Sequence, residues 1–390
     1  MVICESAISR SGIGPVHLVD ITMFYPAQTG GAGTYLRAKA QWLRERTTIR
    51  HSVVAPVRRG VHEPELVPLP SLPLPWGRGF RWPLSPAIAT RCLLRLAPDL
   101  IEAGDPYQCA WSALAASRRL HVPAIVFHHS DLPQLVGQRF GRVARVAAER
   151  YVTQLYRRFD LVLAPSRGCV TALRALGVRN VRWQPLGVDT AIFTPHRRDQ
   201  GLRAQLGLSP SSRLIVYAGR FTREKNLPSL IGAVQKLGAP YHLLLIGSGR
   251  LFSDLAHVTR LPFEPDPHKL AALIAACDLF VHPGAHETFG LVALEAMACG
   301  VPVLGVAQGG VGELVNDRCG LLVERGDSDS LAAGIQVLFG SDLASLGVQA
   351  RVKAETEHDW NCVLPQLVHQ YQRLAGAHGA PAGEPLGLPP

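Results

Sequence analysis

The sequence predicts an α/β protein built as two doubly wound, Rossmann-like lobes of parallel sheet that face each other across a cleft. Three observations carry this. The chain has 390 residues, more than a single core usually organises, since cores stop growing at roughly 250 to 300 residues. Short apolar strand candidates alternate with helical patterns in two successive series, which is the signature of parallel sheets covered by helices. A polar, proline-bearing stretch, Thr194 to Ser212, separates the series.

The first series opens with Val16 to Thr22, a short and largely apolar run, followed by the loop Met23 to Gly33 and a helical pattern through Tyr35, Leu36, Ala38 and Leu43. Further strands are expected at His51 to Ala55, Leu100 to Ala103, Ala124 to Phe127 and Leu161 to Ala164, with helical stretches such as Trp111 to Leu120 between them. The second series runs through Leu214 to Ala218, His242 to Ile246, Leu279 to His282, Val301 to Gly305 and Gly320 to Val323. These boundaries give a flexible extension at 1–14, a first lobe at 15–195, a second lobe at 196–357, a C-terminal helix at 358–380 and a flexible tail at 381–390. Pro56 to Pro86, with Trp76, Phe80 and Trp82 beside Arg78 and Arg81, reads as a packed surface loop, with an acceptor site as the alternative.

Hydrophobic residues make up 47% of the chain and charged residues 18%, the balance of an ordinary globular protein. No apolar run reaches the roughly eighteen residues of a spanning helix, and the first residues do not form a signal peptide. Eight cysteines are scattered, with no CxxC pair, and read as reduced core thiols. A net charge of +10 predicts attraction to phosphate. Nothing resembling a DNA- or RNA-binding motif accompanies it, so nucleic acid ranks last among partners.

The chemistry is expected where ligands bind in such sheets, beyond the carboxyl ends of the strands. His286 to Val303 contains Glu287 and Glu295, eight residues apart, after the Leu279 to His282 strand and a Pro283-Gly284 turn. The helix is expected to start near Phe289-Gly290, so its first-turn amides lack internal acceptors and can receive an anion. Glu287 from the loop and Glu295 from the helix can reach one ligand, and carboxylates accept from sugar hydroxyls. Alone, capping and solvent exposure explain the two acids equally well. Arg220 and Lys225 follow the first strand of the second series, where a diphosphate needs neutralising. Gly247 and Gly249 end the next strand and suit close backbone approach by a nucleoside.

Taken in order, Gly219-Arg220-Phe221 to Lys225-Asn226, Gly247-Ser248-Gly249, Glu287-x7-Glu295 and Gly309-Gly310 to Glu313 resemble the retaining glycosyltransferases of family 4, which have the GT-B fold. The likeness extends to Thr29-Gly-Gly-Ala-Gly-Thr34, Ala164-Pro-Ser166 and Pro185-Leu-Gly-Val-Asp189. The resemblance implies that Arg220 and Lys225 hold the donor diphosphate, Glu295 the ribose hydroxyls and Glu287 the transferred sugar. It also implies that the amides of Phe289, Gly290 and Leu291 assist, that Gly30 and Gly31 let the first-lobe loop approach the phosphates, and that His129, or else His128, faces the reacting sugar. Pro283-Gly284 departs from the family's usual Pro-Ser and removes a hydroxyl near the site.

The expected reaction is retaining transfer of a sugar from a nucleotide-sugar donor to a glycan, lipid or small-molecule acceptor. Cations and helix amides preplaced around the departing diphosphate favour the transition state. No metal or other cofactor is expected, because Asp327-Ser-Asp329 reads as a helix cap. A GT-B epimerase, a hydrolase or a non-catalytic sugar-nucleotide-binding module are the alternatives. An oxidoreductase fails: Leu36 stands at the third glycine of the dinucleotide motif, and no acid ends the second strand. Arg139, Arg142, Arg145, Arg150, Arg157 and Arg158 punctuate an amphipathic stretch whose apolar side includes Val143, Ala147, Tyr151 and Leu155. A solvated face or contact with anionic membrane both fit it; the protein is expected in the cytoplasm, with the inner face of the membrane as an option.

Overall fold

Strands with near-continuous apolar runs are stable only when both faces of the sheet are covered, and the chain folds to satisfy this twice. The computed structural model describes residues 16–25, 30–58, 60–61, 63–74, 81–249 and 255–379. The expected terminal extension and tail, together with Trp76, Arg78 and Phe80, lie outside the described residues.

The strands in chain order are β1 (His17–Ile21), β2 (Arg50–Ala55), β3 (Leu66–Pro68), β4 (Ser71–Pro73), β5 (Arg81–Pro83), β6 (Leu100–Ala103), β7 (Ala124–Phe127), β8 (Leu161–Ala164) and β9 (Val181–Trp183). They continue with β10 (Arg213–Phe221), β11 (Tyr241–Gly249), β12 (Val258–Leu261), β13 (Leu279–His282), β14 (Val303–Val306) and β15 (Gly320–Val323). The first lobe carries a seven-stranded sheet ordered β3-β2-β1-β6-β7-β8-β9, and the second a six-stranded sheet ordered β12-β11-β10-β13-β14-β15. All pairings within these two sheets are parallel. The order reverses at β1/β6 in one sheet and at β10/β13 in the other, and such switch points open the crevices that receive ligands.

Three of the strands that periodicity missed, β3, β9 and β12, are edge strands of three or four residues carrying a proline or an arginine. They are too short to show a period of two. The proline-rich segment holds a small antiparallel hairpin, β4 with β5. The helix after β1 begins at Gly30 and ends at Arg46, so Gly30 and Gly31, expected in a loop, form its first turn. The basic stretch is two helices broken at Gly141, Leu132–Phe140 and Arg142–Tyr156. Its apolar side is split as well: Val152, Leu155 and Tyr156 are buried, whereas Val143 faces solvent.

One apolar cluster runs through both lobes, including Leu36, Phe127, Leu186, Val216, Phe280, Leu294 and Trp360. The last helix, Trp360–Gly379, lies against Gly30–Arg46 of the first lobe, where Trp42 Nε1 donates to Asn361 Oδ1 at 3.1 Å. Two backbone bonds join the crossing segments, Val188 N to the His358 carbonyl at 2.8 Å and Trp360 N to the Val188 carbonyl at 3.2 Å. Beneath this helix sits a buried ionic network. Lys39 Nζ donates to Asp20 Oδ1 at 2.8 Å, Glu102 Oε1 at 2.9 Å and the Tyr371 hydroxyl at 3.1 Å. Tyr371 donates in turn to Glu102 Oε2 at 2.5 Å, and His51 Nε2 stands 2.6 Å from Asp20 Oδ2.

Candidate active site between the lobes

The second-lobe half of the site grows from β10 and β13, the pair flanking the switch point. Beyond β10 the chain makes a short turn at Arg223–Lys225 and reaches Asn226, a left-handed residue at φ 53° that starts the helix Leu227–Leu237. Asn226 fixes this turn: its Nδ2 donates to the carbonyls of Gly326 at 2.7 Å and Pro283 at 3.3 Å. Beyond β13, Gly284 lets the same turn close in, because a Cβ there would stand 2.7 Å from the Glu224 carbonyl and 3.3 Å from Lys225 Cα. The glycine that departs from the family's serine is therefore demanded by packing.

This approach brings Lys225 onto Glu287, and the two form an ion pair. His282, the last residue of β13, completes the group, with Nδ1 facing the Gly284 carbonyl at 3.1 Å and Nε2 at 3.4 Å from Glu287 Oε2. Burial pushes the Glu287 carboxyl up, but the Lys225 ammonium and the His282 hydrogen bond outweigh it and hold the acid well below its usual range. Glu287 is thus a fixed anion. Its loop is held by Gly309 and Gly310: Gly310 N donates to the Glu287 carbonyl at 2.6 Å, and a Cβ on Gly310 would stand 2.3 Å from Phe289 Cα.

Gly290, at φ 98°, ends the loop and starts the helix Leu291–Ala298, whose N-terminus no side chain caps. Its first-turn amides therefore remain available to an anion. Glu295, in the second turn of this helix, is buried among apolar residues, and burial raises its carboxyl to about 8. Among the described residues it has no ion-pair partner. Arg220 projects into solvent from the end of β10 and likewise forms no ion pair among the described residues.

The glycines at the strand ends play a different part from the expected one. A Cβ on Gly247 would stand 1.8 Å from the Gly219 carbonyl, and one on Gly249 would stand 2.4 Å from Phe221 Cβ. What approaches these glycines closely is strand β10, so their positive φ values, 151° and 150°, serve the pairing of β10 with β11.

Among the described residues the first lobe meets this edge at several points, Cys169 Sγ to the Thr288 carbonyl at 3.7 Å among them. Gly31 abuts the start of the helix Leu291–Ala298, since a Cβ on it would lie 2.7 Å from Leu291 Cδ1. Thr288 Oγ1 donates to the His129 carbonyl at 3.1 Å. Glu313 crosses the gap and receives the amides of Arg167 at 2.7 Å and Gly168 at 2.6 Å. It thereby occupies the N-terminus of the helix Arg167–Ala175, an anion site by geometry.

The two histidines point in different directions. His128 is buried, with Nδ1 3.1 Å from the Tyr156 hydroxyl. The His129 ring stacks on Phe127 at 4.2 Å and tilts against Tyr35 at 5.1 Å, leaving Nε2 buried without a hydrogen-bond partner. Burial, then the neighbouring Lys39, lower its pKa to about 3, so the ring is neutral at physiological pH. Gly30 is exposed with open space beside it.

Sequence reasoning gave no role to His282, Asn226, Thr288 or Glu313. Asn226 and Glu313 stood in the quoted motifs without a role, and His282 at a strand end, next to Pro283, was a further readable signal. Asp327 and Asp329 are engaged locally: Asp327 accepts from Ser330 N at 2.8 Å as a helix cap, and Asp329 pairs with Lys236 at 2.6 Å.

Two facing Rossmann-like sheets, with basic and helix-terminal groups at the mouth of the second, define the GT-B class of glycosyltransferases. Residues 199–342 match the family described as Glycosyl transferases group 1, and residues 29–192 match Glycosyltransferase Family 4. A GDP-mannose-dependent alpha-mannosyltransferase of Mycolicibacterium smegmatis is 33% identical over 72% of this chain and 74% of its own length. A GDP-mannose-dependent alpha-(1-6)-phosphatidylinositol dimannoside mannosyltransferase of Mycobacterium tuberculosis is 30% identical over 74% of this chain and 79% of its own. The fold is shared with sucrose-phosphate synthase from Thermosynechococcus elongatus, at TM-score 0.77 and 22% identity over 93% of this chain and 100% of the other. Anabaena HepE, solved with UDP and glucose, gives a TM-score of 0.74 at 23% identity over 92% and 99%. The chain belongs to the group 1, family 4 glycosyltransferases, and is an enzyme of nucleotide-sugar transfer.

Proposed function

We propose that this enzyme moves a hexosyl group, most simply mannose from GDP-mannose, to a hydroxyl of a glycan or lipid acceptor, with retention of anomeric configuration and without a metal ion. The reading is carried by the Lys225–Glu287 ion pair, which precedes a helix, Leu291–Ala298, whose N-terminus no side chain caps; Arg220 stands exposed at the end of β10, the strand beside β13. Charge develops on the diphosphate as the glycosidic bond breaks, and fixed donors there favour the transition state. The donor identity rests on the relatives, which are named for GDP-mannose.

In this reading a donor phosphate shares Lys225 with Glu287, and Glu287, already ionised, turns its other oxygen to the sugar hydroxyls. Glu295 accepts from the ribose diol. His129 contributes shape and a backbone carbonyl held by Thr288, its neutral ring lining the first-lobe wall. The departing phosphate takes the acceptor's proton as the new bond forms on the same face.

The test is protection against thermal unfolding by GDP, UDP and ADP in excess EDTA, followed by turnover of the protective sugar nucleotide with and without acceptor mannosides. Protection by GDP and acceptor-dependent release of GDP are expected. Release of free sugar alone would make the enzyme a hydrolase, and a requirement for a divalent ion would overturn the metal-free mechanism.

A further inference from the structure

Where the chain passes between the lobes it leaves a cavity of about 500 Å³, a size typical of small-molecule sites. Its walls come from three segments. Pro165 and Trp183 belong to the first lobe, Phe289 and Lys353 to the second, and His358 to the segment that crosses back. The cavity shares Phe289 and Gly310 with the Glu287 loop, but none of Arg220, Lys225, Glu287 or Glu295 lines it. It is therefore separate from the crevice proposed for the donor.

The lining combines flat apolar faces with cations that lack an anion. The Trp183 ring is 40% exposed, and the Arg167 guanidinium lies over it at 4.4 Å. Phe289 meets the His358 ring edge-to-face at 5.8 Å. Lys353 Nζ donates to the Leu314 carbonyl at 2.8 Å, which uses one of the three ammonium protons. Neither Lys353 nor Arg167 forms an ion pair among the described residues. The two acids in the lining do not supply the missing charge: Glu313 has its oxygens taken by the amides of Arg167 and Gly168, and Glu357, 59% exposed, stands 4.0 Å from His358 Nε2. Nδ1 of the buried His358 ring meets no hydrogen-bond partner among the described residues.

We propose that this cavity binds a small aromatic acid, with its ring against Trp183 and its anionic group drawn to Lys353 and Arg167. An indole already held by a guanidinium offers a rigid stacking face, and an ammonium with free protons makes charge-assisted hydrogen bonds to a carboxylate. Ring and charge are thus held from different lobes. The ligand binds the arrangement of lobes described here better than one in which they part, and favours it by that difference. The inference does not depend on the transfer reading.

The test is isothermal titration of 2-naphthoate into the full chain, with 2-naphthylmethanol and acetate as controls for the ring and the charge alone. 2-Naphthoate should bind, the neutral alcohol should bind roughly tenfold more weakly, and acetate should give no measurable binding. Trp183→Ala in the first lobe and Lys353→Gln in the second should each weaken 2-naphthoate roughly tenfold, the scale of one aromatic face or one charge-assisted bond. The glutamine keeps a donor for the Leu314 carbonyl, and an unliganded thermal midpoint close to that of the wild type shows that the variant is folded. Should it not fold, Arg167→Gln provides the loss of charge, since its amide still meets Glu313. Saturating GDP should not displace the ligand. Absence of binding, equal binding of the neutral alcohol, or an effect confined to the variant of one lobe would overturn the proposal. So would displacement by GDP, which would assign 2-naphthoate to the donor crevice.

Discussion

The two lobes each pair a lysine with carboxylates, and the pairs are built for opposite ends. In the first lobe Lys39 is sealed between Asp20 and Glu102, with side-chain exposures of 0%, 2% and 1%. In the second, Lys225 and Glu287 retain 19% and 21%. The Lys39 ammonium faces Asp20 of β1, Glu102 of β6 and Tyr371 of the last helix. The Lys225–Glu287 pair stays partly exposed, with His282 Nε2 at 3.4 Å from the same carboxylate. The same chemistry joins chain segments where it is buried, and where it is partly exposed it is the place proposed for the donor phosphate.

The contrast breaks most visibly at Lys39. Lys39→Met would leave Asp20 and Glu102 buried without their cation, and unpaired buried charge costs about 3–5 kcal/mol. A large fall in denaturation midpoint is expected, and calorimetry against Lys225→Met, whose Glu287 can rehydrate, should show the smaller fall in the latter. At Lys225 the loss is expected to fall on catalysis. Lys225→Ala should reduce kcat/KM for the sugar nucleotide about 10²–10³-fold, the scale of removing one charge-stabilising donor. Initial rates with correctly folded protein measure this, and a change under threefold would remove Lys225 from the mechanism.

Glu313 gives a smaller effect with a sharper signature. It makes two of the bonds that hold the lobes together, to the amides of Arg167 and Gly168. Glu313→Ala should raise the donor KM about tenfold, at one to two kcal/mol for the lost bonds, and increase the radius of gyration in solution scattering of the GDP-bound enzyme. An unchanged radius would make Glu313 a local cap only.

Glu295 sharpens the comparison through pH. Its folded pKa, about 8, lies above the ordinary value of 4.5, so the folded state binds the proton more tightly. Stability from this group is present at low pH and is lost as pH rises from its ordinary value through about 8. Glu295→Gln should therefore gain in denaturation midpoint relative to wild type between pH 5 and pH 9, by a few kcal/mol at most, while GDP binds more weakly. A pH-independent difference would show that Glu295 is hydrated.

Much of this was legible in the sequence. Leu100–Ala103, Ala124–Phe127, Leu161–Ala164, Leu279–His282 and Gly320–Val323 were readable to the residue, because buried parallel strands are short apolar runs bounded by turns. The Glu287 loop and the helix after it were readable too. What escaped was set by other parts of the chain. Gly247 looked like a ligand-facing glycine, yet the Gly219 carbonyl takes the space beside it. That Glu287 pairs with Lys225 was not readable because Lys225 lies 62 residues earlier. Val143 fitted an apolar stripe that Gly141 interrupts. Periodicity registers neighbours along the chain, and each of these depends on a neighbour across the sheet or at a break.

The central claim is that protein cations and peptide amides, without a divalent ion, hold the donor's diphosphate. Isothermal titration of GDP and of guanosine into the wild type and the Arg220→Ala/Lys225→Ala variant, both in excess EDTA, tests it most directly. The wild type should bind GDP at least a hundredfold more tightly than guanosine, and the double variant should lose most of that difference. A diphosphate advantage that vanishes in wild type under EDTA, or persists undiminished in the double variant, would contradict it.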